Sequence, residues 1–148
     1  MTLTRQDFRD AMARLGAAVN IITTAGGAGR GGVTASAVCS VTDDPPTLLV
    51  CINRESSTGA LIKANGVLCV NVLAAGQRDL SDIFARPSKT VGYDQKFAAG
   101  RWAHLETGAP ALDGAVAAFD CRIADIVEKG THSVIFAEVL AIRLGPVV

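Results

Sequence analysis

Between Ala115 and Gly145 the chain holds two apolar-rich runs, "AVAAFDCRIADIV" and "THSVIFAEVLAIRLG", separated only by "EKG". Both runs are rich in β-branched and aromatic residues, and the interval between them leaves room for a turn and little else. They predict a long antiparallel hairpin with Gly130 at its turn. A hairpin of that length needs further strands beside it, and the sequence supplies "AVNIITT", "GVTASAVCSVT", "TLLVCIN" and "VLCVNVL". Six or seven strands with short turns and few helices favour a predominantly antiparallel barrel over a βαβ array.

The run "GVTASAVCSVT" alternates. Val33, Ala35, Ala37, Cys39 and Val41 lie on one side and Thr34, Ser36, Ser40 and Thr42 on the other, with Val38 breaking the polar row. At 100° per residue the two sets would mix, so the run predicts one strand with a hydroxyl-bearing face. That face is either an ordinary solvated surface or a place where a flat ring lies close to the backbone. "DDPP" ends the strand, since Pro45 and Pro46 cannot donate to a ladder.

Helices are few. Thr4 and Asp7 form a capping pattern ahead of Phe8, Met12 and Leu15, whose spacing predicts a helix covering one flank of the core, with Gly16 as its stop. "RESSTGALIKANG" reads as a short helix capped by Ser56 or Ser57 and closed by Gly66. "AGQRDLSDIFA" is a helix with Leu80, Ile83 and Phe84 inward. From Arg86 to Leu112 no periodicity persists, which predicts a long excursion with one short strand near Trp102.

"GGAGRGG" contains Gly27-x-Gly29-x-x-Gly32, the spacing of a dinucleotide fingerprint. Such a fingerprint needs a helix opening at its third glycine and an acid about 20 residues on. Here the third glycine opens a strand and the only acids before Glu55 are Asp43 and Asp44 in the proline turn. The run is read as a mobile hairpin loop. "NRESST" is the better phosphate candidate: Asn53, Ser56, Ser57 and Thr58 lie where a strand feeds a helix N-terminus with free N–H groups.

Composition sets limits. Fourteen Lys and Arg balance fourteen Asp and Glu, so no net field steers the surface toward nucleic acid or anionic lipid. No apolar run approaches the roughly 20 residues that span a bilayer, and the N-terminus has no signal-peptide pattern, which predicts a cytoplasmic protein. With 148 residues, 49% of them hydrophobic, the whole of 1–148 is expected to form one domain. Cys39, Cys51, Cys69 and Cys121 stand singly in apolar segments, with the spacing of small buried hydrophobes and not of a zinc site. No catalytic triad or paired carboxylates appear.

The ordered series "FRDAMARLGAAVNIITT", "GVTASAVCSVTDDPPTLLVCINRESS", "LCVNVLAAGQRDLSDIFA", "KFAAGRW", "FDCRI" and "GTHSVIFAEV" resembles the short-chain flavin reductases that supply two-component monooxygenases. The resemblance covers nearly the whole chain. It implies an FMN-binding split β-barrel, mainly β with a few peripheral helices, and hydride transfer from NADH or NADPH to FMN or FAD. It implies that Thr34, Ala35, Ser36, Ser40 and Val41 hold the flavin ring and ribityl chain, that Asn53, Ser56, Ser57 and Thr58 hold its phosphate, and that Lys96 lies in a loop near it. "GTH", Gly130 to His132, matches the family's Gly-Asp-His motif for the pyridine nucleotide, with Thr131 in place of the acid; His132 is the residue it nominates for the reaction. A homodimer and a flavin-dependent monooxygenase partner are implied too. The family also continues past the last strand, whereas this sequence stops at "LGPVV", so a C-terminal segment is expected to be missing. A flavin-binding module without turnover, or a pyridoxamine-phosphate-oxidase-like enzyme, would share the barrel.

Overall fold

In the computed structural model, which describes residues 2–146, the elements run α1 (Arg5–Met12), β1 (Asn20–Thr24), β2 (Gly31–Ala35), β3 (Val38–Asp43), β4 (Pro46–Asn53), α2 (Ser57–Asn65), β5 (Val67–Val72), a 3-10 turn (Ala75–Gln77), α3 (Arg78–Ala85), α4 (Tyr93–Ala98), β6 (Trp102–His104), β7 (Pro110–Leu112), β8 (Ala117–Lys129) and β9 (His132–Leu144). Seven strands form one antiparallel sheet in the order β2-β1-β5-β8-β9-β4-β3, and β6 pairs with β7. The predicted barrel follows from that order. β2 and β3 are the two edges, yet only Ser36 and Ala37 separate them in sequence. Three residue steps reach no further than about 11 Å, so the sheet must roll until its edges meet. They meet without pairing, which leaves the barrel split.

The hydroxyl-bearing run predicted as one strand is therefore two strands on opposite edges. The ladder breaks at Ser36 because its carbonyl turns back to accept the Val38 N–H at 3.0 Å. Beyond the break, Cys39 to Thr42 are exposed on edge strand β3, and Cys39 is not the buried hydrophobe expected of it. Cys69 and Cys121 are buried, and Cys51 is half-buried.

β8 and β9 form the predicted hairpin, with Gly130 at φ +56° in its turn. Register shifts at Asp120/Cys121 and Ile123/Asp125 bend this long pair, which helps the sheet curl. β1 and β5 run through the middle and are buried on both faces. Ile22, Leu68 and Val70 face the barrel interior with Val50, Ile52 and Ile135, whereas Ile21 faces a second core under α3 and α4. Full burial of each such side chain stabilises by roughly 1.5–3 kcal/mol. The buried Asn71 amide donates to the Ile21 carbonyl at 3.0 Å and accepts from the Leu112 N–H at 2.8 Å, which ties β7 across β5.

The second core centres on Phe84, edge-on to Phe97 at 5.3 Å, with Trp102 4.9 Å from Phe97. Phe97 belongs to α4, a helix absent from the sequence-based expectation for residues 86–112. α1 also departs from expectation: Phe8, Met12 and Leu15 are 59%, 45% and 64% exposed and do not cover the core. Its Thr4–Asp7 capping box is formed as predicted, and so is the cap of α2 by Ser56 with Gly66 at φ +74° closing it.

The glycine run connects β1 to β2, as a hairpin loop should. Asn65 latches it: the Ala28 N–H donates to Oδ1 and Nδ2 donates to the Gly29 carbonyl, each at 2.9 Å. Gly32, the third glycine of the apparent fingerprint, serves packing. A Cβ there would stand 2.6 Å from the Phe84 ring, which is fully buried and has nowhere to move. Gly32→Ala should therefore destabilise the protein by about 1–3 kcal/mol, read as a fall in the urea midpoint at constant slope. An unchanged midpoint would mean the ring can give way.

Candidate functional site

A cleft of about 510 Å³ opens on the seam of the barrel, where β2, the Ser36-Ala37 link, the end of β4 and the start of β9 converge. Its walls include Thr34, Ala35, Ser36, Asn53, Ser56 and His132 from three distant parts of the chain. The link's carbonyls are engaged, Ser36 with the Val38 N–H and Ala37 with the Cys51 N–H, both at 3.0 Å. Among the described residues, the N–H groups of Ser36 and Ala37 and the Ser36 hydroxyl have no partner. The residues that line the cleft at the link thus carry two unpaired main-chain donors and a hydroxyl, and Ala35 and Ala37 leave the backbone approachable. The volume falls within the roughly 300–1,000 Å³ of small-molecule sites. The donor set suits a flat ring carrying acceptors along one edge.

At one end of this cleft the chain turns from β4 into α2. The Asn53 Oδ1 accepts the Glu55 N–H at 2.8 Å, the Asn53 carbonyl accepts the Ser56 N–H at 2.9 Å, and the Ser56 hydroxyl caps Gly59. The first-turn N–H groups of Ser57 and Thr58 have no intrahelical acceptor and carry the partial positive charge of the helix end, an arrangement that attracts anions. Behind them, the Ser57 hydroxyl meets Tyr93 at 2.6 Å and Ser88 at 3.1 Å. The buried Thr58 hydroxyl donates to the Gly32 carbonyl at 3.0 Å. Those two side chains join α2 to its neighbours and do not line the cleft.

His132 begins β9, directly across from Asn53 in the β4–β9 register. Its Nδ1 lies 2.8 Å from the Thr131 hydroxyl. Arg54 secures the turn before it: the Arg54 N–H donates to the Thr131 carbonyl at 3.0 Å and the guanidinium to the Gly130 carbonyl at 3.2 Å. Glu128 secures Arg54 in turn at 3.5 Å while also taking Lys63 at 2.7 Å and the Ser133 hydroxyl. A second, wider hollow of about 1020 Å³ runs from this corner toward α1, and Asn53 and His132 line both.

Besides Ser57 and Thr58, three nominated residues are not part of the cleft wall. Ser40 and Val41 are exposed on β3, beyond the break in the strand. The Lys96 side chain is buried, its ammonium donating to the Arg86 carbonyl at 2.6 Å, and desolvation lowers its pKa. It braces the excursion between α3 and α4 and contributes nothing to the cleft wall. Ser81, Cys51 and Val19 line the cleft without having been anticipated. Ser81 lies next to the inward Leu80, and its carbonyl accepts the Thr34 hydroxyl at 2.7 Å, fixing α3 over β2. Its place beside an inward residue was the available signal. Burial pushes the Cys51 thiol above its ordinary pKa, so the cleft presents it as a thiol and not as a thiolate nucleophile.

The sequence matches the flavin reductase like domain over residues 12–147. A protein from Variovorax paradoxus (strain S110) named FMN reductase (NADH) RutF is 59% identical over 143 residues, which cover 97% of this chain and 78% of that one. The fold is similar to that of a protein from Haemophilus somnus 129PT assigned as a flavin reductase, at TM-score 0.92 and 45% identity, covering 97% of this chain and 90% of the other. It is also similar to BorF, the flavin reductase component of a bacterial two-component tryptophan halogenase, at TM-score 0.88 and 27% identity, with 97% and 89% covered.

The Lys63 hydrogen bond, then that of Ser133, holds the Glu128 carboxyl below the ordinary glutamate pKa. A depressed folded-state pKa contributes stability that is present above the unfolded value, about 4.3, and is lost as pH falls through the folded value. Glu128→Gln should lower the melting temperature at pH 7, and the gap to the parent should narrow progressively below about pH 4.3. A gap that stays constant with pH would place the effect outside this ion pair.

Proposed function

Because the chain belongs to the flavin reductase-like family, we propose that it is an NADH-dependent flavin reductase whose flavin occupies the seam cleft and whose nicotinamide donor reaches it beside His132. The single observation that carries this reading is the junction: one cleft with unpaired main-chain donors and a second hollow meet at Asn53 and His132. A hydride donor and acceptor must lie face to face, and two clefts sharing a wall supply that arrangement.

A bound flavin, FMN by likeness to the FMN reductase relative and FAD as the alternative, supplies hydride-accepting chemistry. The chain's residues bind and orient. The N–H groups of Ser36 and Ala37, with the Ser36 hydroxyl, hold the acceptor edge of the ring, and Ala35 permits its approach. Ser56 and the first turn of α2 hold the phosphate. Thr34 acts by fixing α3 over β2, Ser57 and Thr58 by anchoring α2. His132, presented by the Arg54-braced turn, orients the nicotinamide. Within this proposal Ser40, Val41 and Lys96 are not contacts of the flavin.

The family resemblance supports release of reduced flavin to a partner monooxygenase, and likeness to BorF, whose partner is a halogenase, supports a two-component arrangement. The family resemblance also implies a homodimer, in which exposed side chains such as Met12, Ile142 and Leu144 would be covered. A sedimentation mass equal to one chain would reject the dimer.

The reaction is tested by following NADH at 340 nm with FMN under air. Loss of absorbance no faster than with flavin alone, for both NADH and NADPH, would sink the proposal. Ser36→Ala and Ser56→Ala should each raise the flavin dissociation constant about fivefold, the equivalent of one net hydrogen bond. His132→Ala should raise the Michaelis constant for NADH while leaving flavin affinity unchanged.

A further inference from the structure

The side-chain hydroxyls that line the seam cleft are those of Thr34, Ser36, Ser56 and Ser81. All but one are accounted for. Thr34 donates its proton to the Ser81 carbonyl at 2.7 Å, the Ser56 oxygen caps the Gly59 N–H at 3.3 Å, and Ser36 stands with the unpaired N–H groups of the link. The Ser81 hydroxyl has no hydrogen-bond partner among the described residues, although its residue is half-buried on α3. A helical serine commonly bonds back to the carbonyl one turn earlier, and this one does not. Every fully buried side-chain oxygen or nitrogen among the described residues has a partner, so the unpartnered Ser81 oxygen is open to solvent, and the cleft is the space that it lines.

β2 marks where this hydroxyl lies along the cleft. Near its start the Gly32 carbonyl accepts the Thr58 hydroxyl of the first turn of α2 at 3.0 Å, and just past its end stands Ser36. Thr34 is two residues from each, roughly 7 Å at the rise of a strand, and it is Thr34 that holds the Ser81 carbonyl. Ser81 is thus fixed midway between the helix end that takes the phosphate and the link that takes the ring. The position is rigid, because Phe84 of the same helix is fully buried with its ring 5.3 Å from that of Phe97. What joins ring to phosphate in a flavin nucleotide is a chain of carbons bearing hydroxyls, each of which both donates and accepts. A serine hydroxyl does the same, so either partner can supply the proton.

We propose that Ser81 is a flavin-binding residue, whose hydroxyl holds the hydroxyl-bearing chain between ring and phosphate and so helps the cleft select a flavin nucleotide over a bare isoalloxazine ring. The assignment rests on the flavin reading of the seam cleft above, and it adds a contact midway along the ligand from a helix that reading leaves without one.

The test measures dissociation constants for FMN, riboflavin and lumiflavin in the parent protein and its Ser81→Ala variant, the first two by titration of flavin fluorescence and the third by competition with FMN. Riboflavin lacks the phosphate, and lumiflavin lacks the hydroxyl-bearing chain as well. The substitution removes no contact within the protein, since the Thr34 bond goes to the main-chain carbonyl. The variant should therefore keep its melting temperature, or gain slightly from the better helix former. Its constants for FMN and riboflavin should both rise about fivefold, the equivalent of one net hydrogen bond, while that for lumiflavin stays within about twofold. A parent that binds FMN and a variant that binds all three flavins equally well would overturn the assignment and leave the flavin reading of the cleft intact. So would a loss confined to FMN, which puts the hydroxyl at the phosphate, or an equal loss with lumiflavin, which puts it at the ring. A parent that binds none of the three would overturn the flavin reading, and this assignment with it.

Discussion

The two-residue span of Ser36 and Ala37 between opposite edges of a seven-stranded sheet governs the rest of the molecule. Its shortness compels the sheet to curl, and its turn keeps the edges from pairing along the seam. A closed barrel would satisfy every N–H group there. This one leaves the N–H groups of Ser36 and Ala37, two residues that line the cleft, without partners, and an unsatisfied main-chain donor is a binding group in waiting. The requirement that closes the fold is therefore the same one that makes the candidate site.

Around the seam, other contacts hold the walls in place. Thr34 clasps α3, Thr58 clasps β2, and the Asn53 turn aims α2. Glu128 braces Arg54, which braces the turn that delivers His132. These are mostly hydrogen bonds to main-chain carbonyls, so they constrain direction as well as distance. The aromatic cluster of Phe84, Phe97 and Trp102 lies beneath α3 and α4 and gives α3 a rigid base from which Ser81 faces the cleft.

Some of this was legible in the residues. Alternation and β-branching disclosed the strands, "EKG" disclosed the hairpin, and the Ser56 and Gly66 signals bounded α2 almost to the residue. Resemblance to the flavin reductases nominated Thr34, Ala35, Ser36, Asn53, Ser56 and His132 among others, and the fold gathers these six at one cleft. Errors arose where local pattern and tertiary context disagree. The run from Val33 to Thr42 keeps strand periodicity through a break, because periodicity records which side a residue faces and not which neighbour its backbone bonds. Phe8, Met12 and Leu15 carry a helical apolar stripe whether or not anything covers it. Lys96 shows that a long cation can be turned inward when a carbonyl such as that of Arg86 awaits it. The glycine run, read as a hairpin loop despite its fingerprint spacing, does connect β1 to β2, and Gly32 is small because Phe84 lies against it.

The sequence by itself determined the β-rich class, the bounds of α2, the turn at Gly130 and the residue types available to a flavin and a nucleotide. These follow from short-range stereochemistry and hydrophobic period, which act within a few residues. Only the tertiary structure decided that β2 and β3 lie on opposite edges, that the Ser36 and Ala37 donors go unpaired, and that Asn53 and His132 form a wall common to two clefts. Each of those depends on which strands become neighbours, a choice made by the shared burial of residues as distant as Ile22, Val50 and Ile135. No local pattern encodes it.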